Sequence, residues 1–530
     1  MDSADLFLTR AEDDHLALVF EGRRWTWREV LQECANRTPL IEPGQHVGLL
    51  LDNLPDYLFW LGACALQGAA LVGINPTRRG AQLEADVAHT DIDLLVTEEK
   101  HRDDVTAFPH VLVEELQLPH GVPVAKHPSV NEQTTLLLLF TSGSTGAPKA
   151  VICSSGRYAR LSGNLQALFG LTRDDVLYQS MPMFHGNALM TTVACATVLG
   201  ATVVMRRRFS ASGFLPDVRE HGCTFFNYVG RSLAYVLAQP ATPYDGDNRL
   251  RLGYGTEAST RDREAFEARF GCRLLESYGS SEGAVSIRWS EGTPRGALGR
   301  PAEGVRVVVQ DDLGNECPRA VLDEHGALQN PEAIGEIVGL DGAAAFEGYY
   351  KNPEAEEQRI RGTSYRTGDL AYVDADGWFW FAGRSADWLR VDSENFAAAP
   401  VEAILSRFGP VVTAAVYPVP DAQTGDQVMA ALDLSGPFDA EAFGAFLRDQ
   451  PDLGTKWAPR YVRVLDAMPL TGSNKVDKTG IRKEQWSTGD VWWRSGRELD
   501  YRLMTEQDRT ALRAAFAQHE RSDQLPPSHV

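Results

Sequence analysis

The segment Thr141 to Lys149 reads Thr-Ser-Gly-Ser-Thr-Gly-Ala-Pro-Lys and directly follows the apolar run Leu136–Phe140. Ser142, Ser144 and Thr145 offer hydroxyl hydrogen bonds, Gly143 and Gly146 open backbone conformations closed to other residues, and successive N–H groups can form an anion-binding nest. Closed by Lys149, such a loop behind a buried strand has the chemistry of a polyphosphate cradle. The spacing is not the Walker pattern, because no Gly-Lys-Ser/Thr follows and Pro148 obstructs a helix start. A helix N-terminus is therefore not the expected anchor. The same composition also builds an ordinary Ser/Gly turn, so the rest of the chain must decide.

The elements that would position this loop are alternating strands and helices. Val47–Leu51 reads as a buried strand, Asp56–Leu66 as an amphipathic helix and Ala69–Gly73 as another strand, which is the pattern of a doubly wound α/β sheet. The theme returns after the loop, with helices expected over Arg157–Phe169 and Leu189–Leu199 and strands over Ala201–Met205, Thr224–Tyr228 and Arg273–Ser277. Beyond Gly296 short β pieces such as Val305–Gln310 and Ile334–Gly339, separated by Asp/Gly turns, predict a small barrel or meander. From about Ser385 a compact α+β unit is expected: helix Pro400–Phe408, strand Val411–Tyr417, helix Ala440–Asp449 and strand Tyr461–Val464.

With 530 residues the chain exceeds one hydrophobic core and predicts at least two domains. Its formal charge of −21 argues against nucleic acid or an anionic membrane as partner. An anionic ligand must then be met by local basic groups. Seven cysteines without a CxxC pair suit a reducing cytoplasm rather than a disulfide set or zinc site. The start, Met1-Asp-Ser-Ala-Asp-Leu, lacks the order of a signal peptide, and no apolar run approaches the ~20 residues of a membrane span.

Further along stand Phe184-His-Gly-Asn187, Tyr278-Gly-Ser-Ser-Glu-Gly283, Tyr365-Arg-Thr-Gly-Asp-Leu370, Gly383-Arg384 and Thr471-Gly-Ser-Asn-Lys475. Together with the loop, in this order, they resemble the adenylate-forming superfamily of acyl-CoA synthetases, nonribosomal adenylation domains and beetle luciferases, over essentially the whole chain. The resemblance implies an α/β fold: a large N-terminal region of two doubly wound α/β subdomains plus a β-barrel, and a small mobile C-terminal α+β domain. On that basis residues 1–384 form the AMP-binding domain, 385–387 the hinge and 388–530 the lid.

The implied chemistry is attack of a carboxylate on the α-phosphorus of ATP, giving an acyl adenylate and pyrophosphate, where positioning and electrostatics supply most of the catalysis. By resemblance, Thr141, Ser142, Gly143, Ser144, Thr145, Gly146 and Lys149 hold phosphates, with Thr145 in direct contact. Glu282 binds Mg2+, a hard cation that needs few protein carboxylates, and Ser281 touches phosphate. Tyr278 stacks on adenine, Asp369 takes both ribose hydroxyls and Arg384 meets ribose or phosphate. Gly255, Thr256, Glu276 and Gly279 complete the nucleotide site. Lys475 is the lysine that bridges carboxylate and α-phosphate, delivered and then withdrawn by the lid.

His185 stands where amino-acid-activating relatives place an aspartate, so an α-amino acid would lack its counter-ion. The expected acyl wall, Phe226, Tyr228, Val229, Gly230, Gly253, Tyr254 and Gly279 with His185, is apolar and aromatic and predicts a hydrophobic acid. Arg206–Phe214 and Val491-Trp-Trp-Arg494 are similar to the fatty-acid-transport-protein-like, long-chain branch, and a fatty or bulky terpenoid-type acid fits equally well. Thioester formation with CoA follows by resemblance, through a channel at Ser393, Glu394 and Asn395. Ser393 stands where that family has glycine, and Ala386 and Asp387 depart from the usual hinge. Two alternatives stay open: an adenylate-only enzyme serving a separate acyltransferase or carrier protein, and a non-catalytic nucleotide-binding protein.

Overall fold

The structure is a computed structural model that describes residues 1–141, 149–256, 258, 260–323, 328–384, 388–391, 394–423, 425–451, 453–454, 456–471, 475–519 and 521–525. Within these, residues 230, 231, 260, 384, 388, 390, 394, 395, 397 and 523 are described by their backbone alone.

Two large sheets form the N-terminal domain. The first has six strands in the order His110–Leu112, Leu94–Thr97, His46–Leu50, Ala70–Gly73, Thr135–Thr141 and Lys149–Ser154, parallel except for the last pair. Its strands are almost continuously apolar, as a sheet covered on both faces requires. The helix Pro55–Gln67 covers it, starting with proline at its first position and ending at Gly68 with φ 84°. Proline at the start and left-handed glycine at the stop fix both ends of that segment.

The second sheet holds Val176–Gln179 (β1), Thr202–Met205 (β2), Phe225–Val229 (β3), Leu252–Thr256 (β4) and Arg273–Glu276 (β5) in the spatial order β5-β4-β3-β1-β2. It is extended beyond β2 by Leu16–Phe20 and Arg23–Thr26, and only that last pair is antiparallel. The helix Ser155–Phe169 (α1) packs between the sheets, capped by Ser154, whose hydroxyl accepts the Arg157 N–H at 3.1 Å, and stopped at Gly170 with φ 57°. Helix expected over Leu189–Leu199 is present but broken in type: Leu189–Val193 is a π-helical turn between Gly186–Ala188 and Ala194–Leu199. Such turns widen a helix locally and recur at functional sites.

The antiparallel part comprises a three-stranded sheet, Tyr278–Gly279, Ser286–Arg288 and Arg300–Pro301, and a five-stranded one containing Val307–Gln310, Gly335–Gly339 and the long strand Ser364–Val373. Val285, Ile287, Val309, Ile337 and Phe379 give them one shared core. The C-terminal domain is built on Val411–Pro420, Asp426–Leu434, Tyr461–Leu465, Val491–Trp493 and Arg502–Leu503, with separate apolar clusters around Phe443 and around Trp486. Sequence reasoning missed Asp426–Leu434 among these. Arg261 reaches across from the large domain, donating to the carbonyls of Ser406 at 2.6 Å and Val411 at 3.1 Å. Among the described residues no helix is long and apolar enough to cross a membrane.

Candidate active site

The hairpin pairing of Thr141 with Lys149 returns the chain antiparallel to its own strand, so a strand and not a helix follows the loop. Residues 142–148 lie outside the described residues, and with them the expected contacts of Ser142, Gly143, Ser144, Thr145 and Gly146. Lys149 itself is only 8% exposed. Segment 348–350 adds to the same strand, through the Tyr350 N–H to the Ala150 carbonyl at 2.8 Å and the Ile152 N–H to the Gly348 carbonyl at 3.1 Å. That pairing sets the Lys149 ammonium 5.9 Å from the Tyr349 ring centroid.

Tyr349 donates its hydroxyl to Glu282 Oε1 at 2.8 Å, and its oxygen lies 3.2 Å from the Tyr365 hydroxyl. Burial, and then the Glu282 charge, push both phenols well above their ordinary value, so both stay protonated donors. Glu282 is 8% exposed, and among the described residues nothing bonds to its Oε2. A buried carboxylate with one oxygen held and one open fits a hard divalent cation. The site therefore suits Mg2+ at Glu282.

Arg359, at the end of the helix Pro353–Arg359, completes this corner. Burial pulls the Lys149 ammonium below the usual lysine range and the Arg359 charge adds to the pull, against the opposing charge of Glu282. Two cations held near each other in a half-dry pocket create a field that a polyanion relieves. Neither Arg359 nor Tyr349 was found by sequence reasoning. Gly-Tyr-Tyr at 348–350 was a usable signal, but an arginine in a charged helix carried none.

Tyr278 donates its hydroxyl to Asp369 Oδ2 at 2.7 Å, bringing together the residues expected at adenine and ribose. Asp369 pairs in register with the backbone of Arg384, whose side chain is outside the described residues. Ser281 sits beside Arg157, which donates to its carbonyl. Gly279, expected at both nucleotide and acid, pairs with Ser286 in the three-stranded sheet. His185 is the half-buried N-cap of the short helix before the π-turn, its ring 5.8 Å from Phe184. Gly73 explains how this motif reaches the first sheet: a Cβ there would come within 2.7 Å of the Phe184 carbonyl oxygen.

The acyl wall divides. Phe225 and Val229 of β3, with Tyr254 of β4, pack against the core between the two sheets, and Gly230 opens the following helix. Phe226 and Tyr228 turn to the other face and join Phe214, Phe266 and Leu274. Strand alternation forces this, since neighbours in a strand point to opposite sides. Gly253 and Gly255 serve those rings: a Cβ on either would lie within 2.5 Å of Phe226 or Tyr228. Phe226 and Tyr228, expected to line the acid, are thus on the opposite face of the strand from Phe225 and Val229. Thr256 pairs with Val229. Glu276 is also turned to that aromatic rim, accepting the Ala258 N–H at 2.9 Å and the Tyr228 hydroxyl at 3.4 Å.

Lys475 belongs to the C-terminal domain, where the Thr471 N–H donates to the Lys475 carbonyl at 2.7 Å and the Lys475 N–H to the Thr471 hydroxyl at 3.1 Å. Glu394 and Asn395 sit on a two-stranded ribbon with backbone partners Val391 and Arg390, while Ser393 and the hinge 385–387 are outside the described residues. Among the described residues Asp52, Glu98 and His101 have metal-ligand spacing. Lys100 is ion-paired to Asp52 and Arg207 to Glu98 at 2.9 Å, so that group reads as a salt-bridge network.

Residues 8–350 match the profile of AMP-binding enzymes and residues 400–475 that of the AMP-binding enzyme C-terminal domain. The chain belongs to the AMP-binding enzyme family. It is 49% identical to the steroid-22-oyl-CoA synthetase of Rhodococcus jostii (strain RHA1), over 98% of each chain. It is 41% identical to the medium/long-chain-fatty-acid–CoA ligase FadD17 of Mycobacterium tuberculosis (strain ATCC 25618 / H37Rv), over 92% of this chain and 97% of that one. The fold is that of the anthranilate CoA ligase AuaEII solved with anthranoyl-AMP, at a TM-score of 0.80 and 21% identity over 91% of this chain and 96% of that one. ATP-bound MatB from Rhodopseudomonas palustris superposes at 0.79, also at 21% identity, over 91% and 99%. This chain is an adenylate-forming acid–thiol ligase.

Proposed function

We propose that the acid this ligase activates is a bulky polycyclic acid of the steroid side-chain kind, with a medium- or long-chain fatty acid as the second reading. The observation that carries it is the 49% identity to a steroid-22-oyl-CoA synthetase across 98% of the chain. The fatty-acid reading draws on FadD17 at 41%. Support from the site is the apolar breadth of Phe225, Val229, Tyr254 and Leu189 on one core, close to the Phe184–His185 motif.

The enzyme uses ATP, Mg2+ and CoA. Glu282 would hold the Mg2+, which when bound would supply charge neutralisation on phosphate oxygens. Tyr349 holds Glu282 in place through Oε1, and Lys149 and Arg359 would face the β- and γ-phosphates together with Thr145. Asp369 and Tyr278 would hold ribose and adenine with Arg384, and His185 would stand at the carboxylate. Lys475 would enter as a point charge between carboxylate and α-phosphate, carried by residues 388–530 about the hinge 385–387, and leave before the thiol arrives along Glu394 and Asn395. CoA-ligating relatives favour CoA over an acyltransferase or carrier protein as the acceptor. Seven free cysteines fit a reducing compartment such as the cytoplasm.

Acid-dependent pyrophosphate release tests the lysine. Lys475→Ala is expected to lower it by roughly 10²–10³-fold, the cost of one electrostatic contact made in the transition state, with MgATP binding kept. Unchanged release would remove Lys475 from the reaction. Acyl-CoA detected by mass, after steroid acids and straight-chain acids are offered in equal amounts, ranks the two substrate readings.

A further inference from the structure

One face of the second sheet, the one shared with Phe225 and Tyr254, carries two side-chain amides of which three polar atoms have no bonding partner. Phe225 pairs with Leu177 and Phe226 with Tyr178, so the next step of the same register sets Asn227 of β3 beside Gln179 of β1. Tyr254 pairs with Asn227 from the other side. Asn227 is 1% exposed and Gln179 is fully buried. Both polar atoms of the Asn227 amide and the Oε1 of Gln179 have no hydrogen-bond partner, while Gln179 Nε2 donates to the Met181 carbonyl at 2.5 Å.

On the proposed reading of the site, the acid lies on this side of the sheet. Phe169, at the end of α1, sits 5.3 Å from Phe225 and 4.5 Å from Tyr254 between ring centroids. The π-turn Leu189–Val193, which follows the His185 motif, packs against both β1 and β3, and its Thr192 hydroxyl is likewise buried without a partner. Ligands of parallel sheets enter at the carboxyl ends of the strands. Asn227 lies two residues below Val229, about 7 Å down the strand from that entrance. An acid whose carboxylate stays near His185 would bring its carbon skeleton to this depth.

With an all-hydrocarbon acid these amide atoms would depend on buried water for partners, since proteins avoid leaving buried polar atoms unpaired. We infer that the acid carries a hydroxyl group on its skeleton, held between the amides of Asn227 and Gln179. The inventory selects a hydroxyl over a ketone: a hydroxyl can donate to Gln179 Oε1 and accept from Asn227 Nδ2, whereas a ketone only accepts. This deepens the proposed function and rests on its reading of an apolar acid. The two remain separable.

The test is kcat/KM for one steroid-acid skeleton with no ring oxygen, with one ring ketone and with one ring hydroxyl, and for plain and chain-hydroxylated fatty acids as a second arm. The hydroxylated acid is expected to exceed its oxygen-free counterpart by about tenfold or more, with the ketone between. Asn227→Leu and Gln179→Met should each bring that ratio towards one, with thermal melting recording whether either variant still folds. If one does not fold, the other decides. A wild-type ratio near one means that buried water alone completes the amides and overturns the inference. A ratio untouched in both variants overturns it too. Failure of the whole steroid arm to turn over sinks the substrate class, and the hydroxyl preference is then read in the fatty-acid arm.

Discussion

The nucleotide corner and the acyl face treat buried polarity in opposite ways. In the corner the side chains already bind each other: Tyr349 holds Glu282, Tyr278 holds Asp369, and Glu336 is bonded to the Gly368 N–H at 2.6 Å and to Arg366. On the acyl face Asn227 and Gln179 are buried with amide atoms left over. The first arrangement fixes geometry before a ligand arrives, which suits one invariant reactant. The second leaves the ligand to complete the bonding, which suits selection among acids. Glu282→Gln should therefore cut kcat by roughly 10²–10³-fold while the ranking of acids stays as it was. Steady-state kinetics over a panel of acids checks it, and a reordered panel would mean that the two regions are not independent.

Arg359 is the next sharpest probe, because it belongs to the corner without belonging to any motif. Its charge adds to the burial that depresses the Lys149 ammonium, and its guanidinium closes on Gly368, where a Cβ would come within 2.5 Å of Nη1. A cation kept there against that repulsion is expected to bind phosphate. Arg359→Met should raise KM for MgATP by roughly tenfold to a hundredfold, the worth of one charge-assisted hydrogen bond, with little change in KM for the acid. Relief of the repulsion should also move the Lys149 ammonium back towards the ordinary lysine range, so the alkaline fall in kcat/KM for ATP shifts to higher pH. An unmoved KM would assign Arg359 to packing alone.

Motif and alternation account for what the sequence disclosed. The apolar runs at 47–51, 136–140 and 201–205 became buried strands, and the structure brings Tyr278 and Asp369, expected together from their motifs, into contact. Helix Pro400–Phe408 is also present, shifted to Ala398–Leu405, since helix ends depend on caps more than on periodicity. The π-turn was invisible, because a run of apolar residues fits α and π windings alike. Tyr349 and Arg359 were missed because their work depends on a segment pairing with a strand about 200 positions earlier, which no local pattern records. The strand expected to carry the acyl wall was half legible for a different reason. Phe225, Phe226, Asn227, Tyr228 and Val229 are uniformly buried, so composition identified the strand but not which residues share its ligand face.

That last ambiguity yields the mildest prediction. Phe226 lies 5.2 Å from Phe214 and 5.5 Å from Phe266 between ring centroids, on the face that contains no motif residue but the rim of Glu276. If alternation governs, Phe226→Leu removes aromatic contact area and some volume from a closed core and costs about 1–2 kcal/mol of stability, read by thermal or denaturant unfolding. Selectivity among acids should be untouched, since the substituted ring never faces the ligand. The neighbouring Asn227 should behave in the reverse sense, losing discrimination while its packing cost stays secondary. A change of acid ranking in Phe226→Leu without loss of stability would return that ring to the acyl wall. One position along the strand thus separates a residue that holds the sheet from one that chooses the substrate, because the pleat, not hydrophobicity, assigns the two duties.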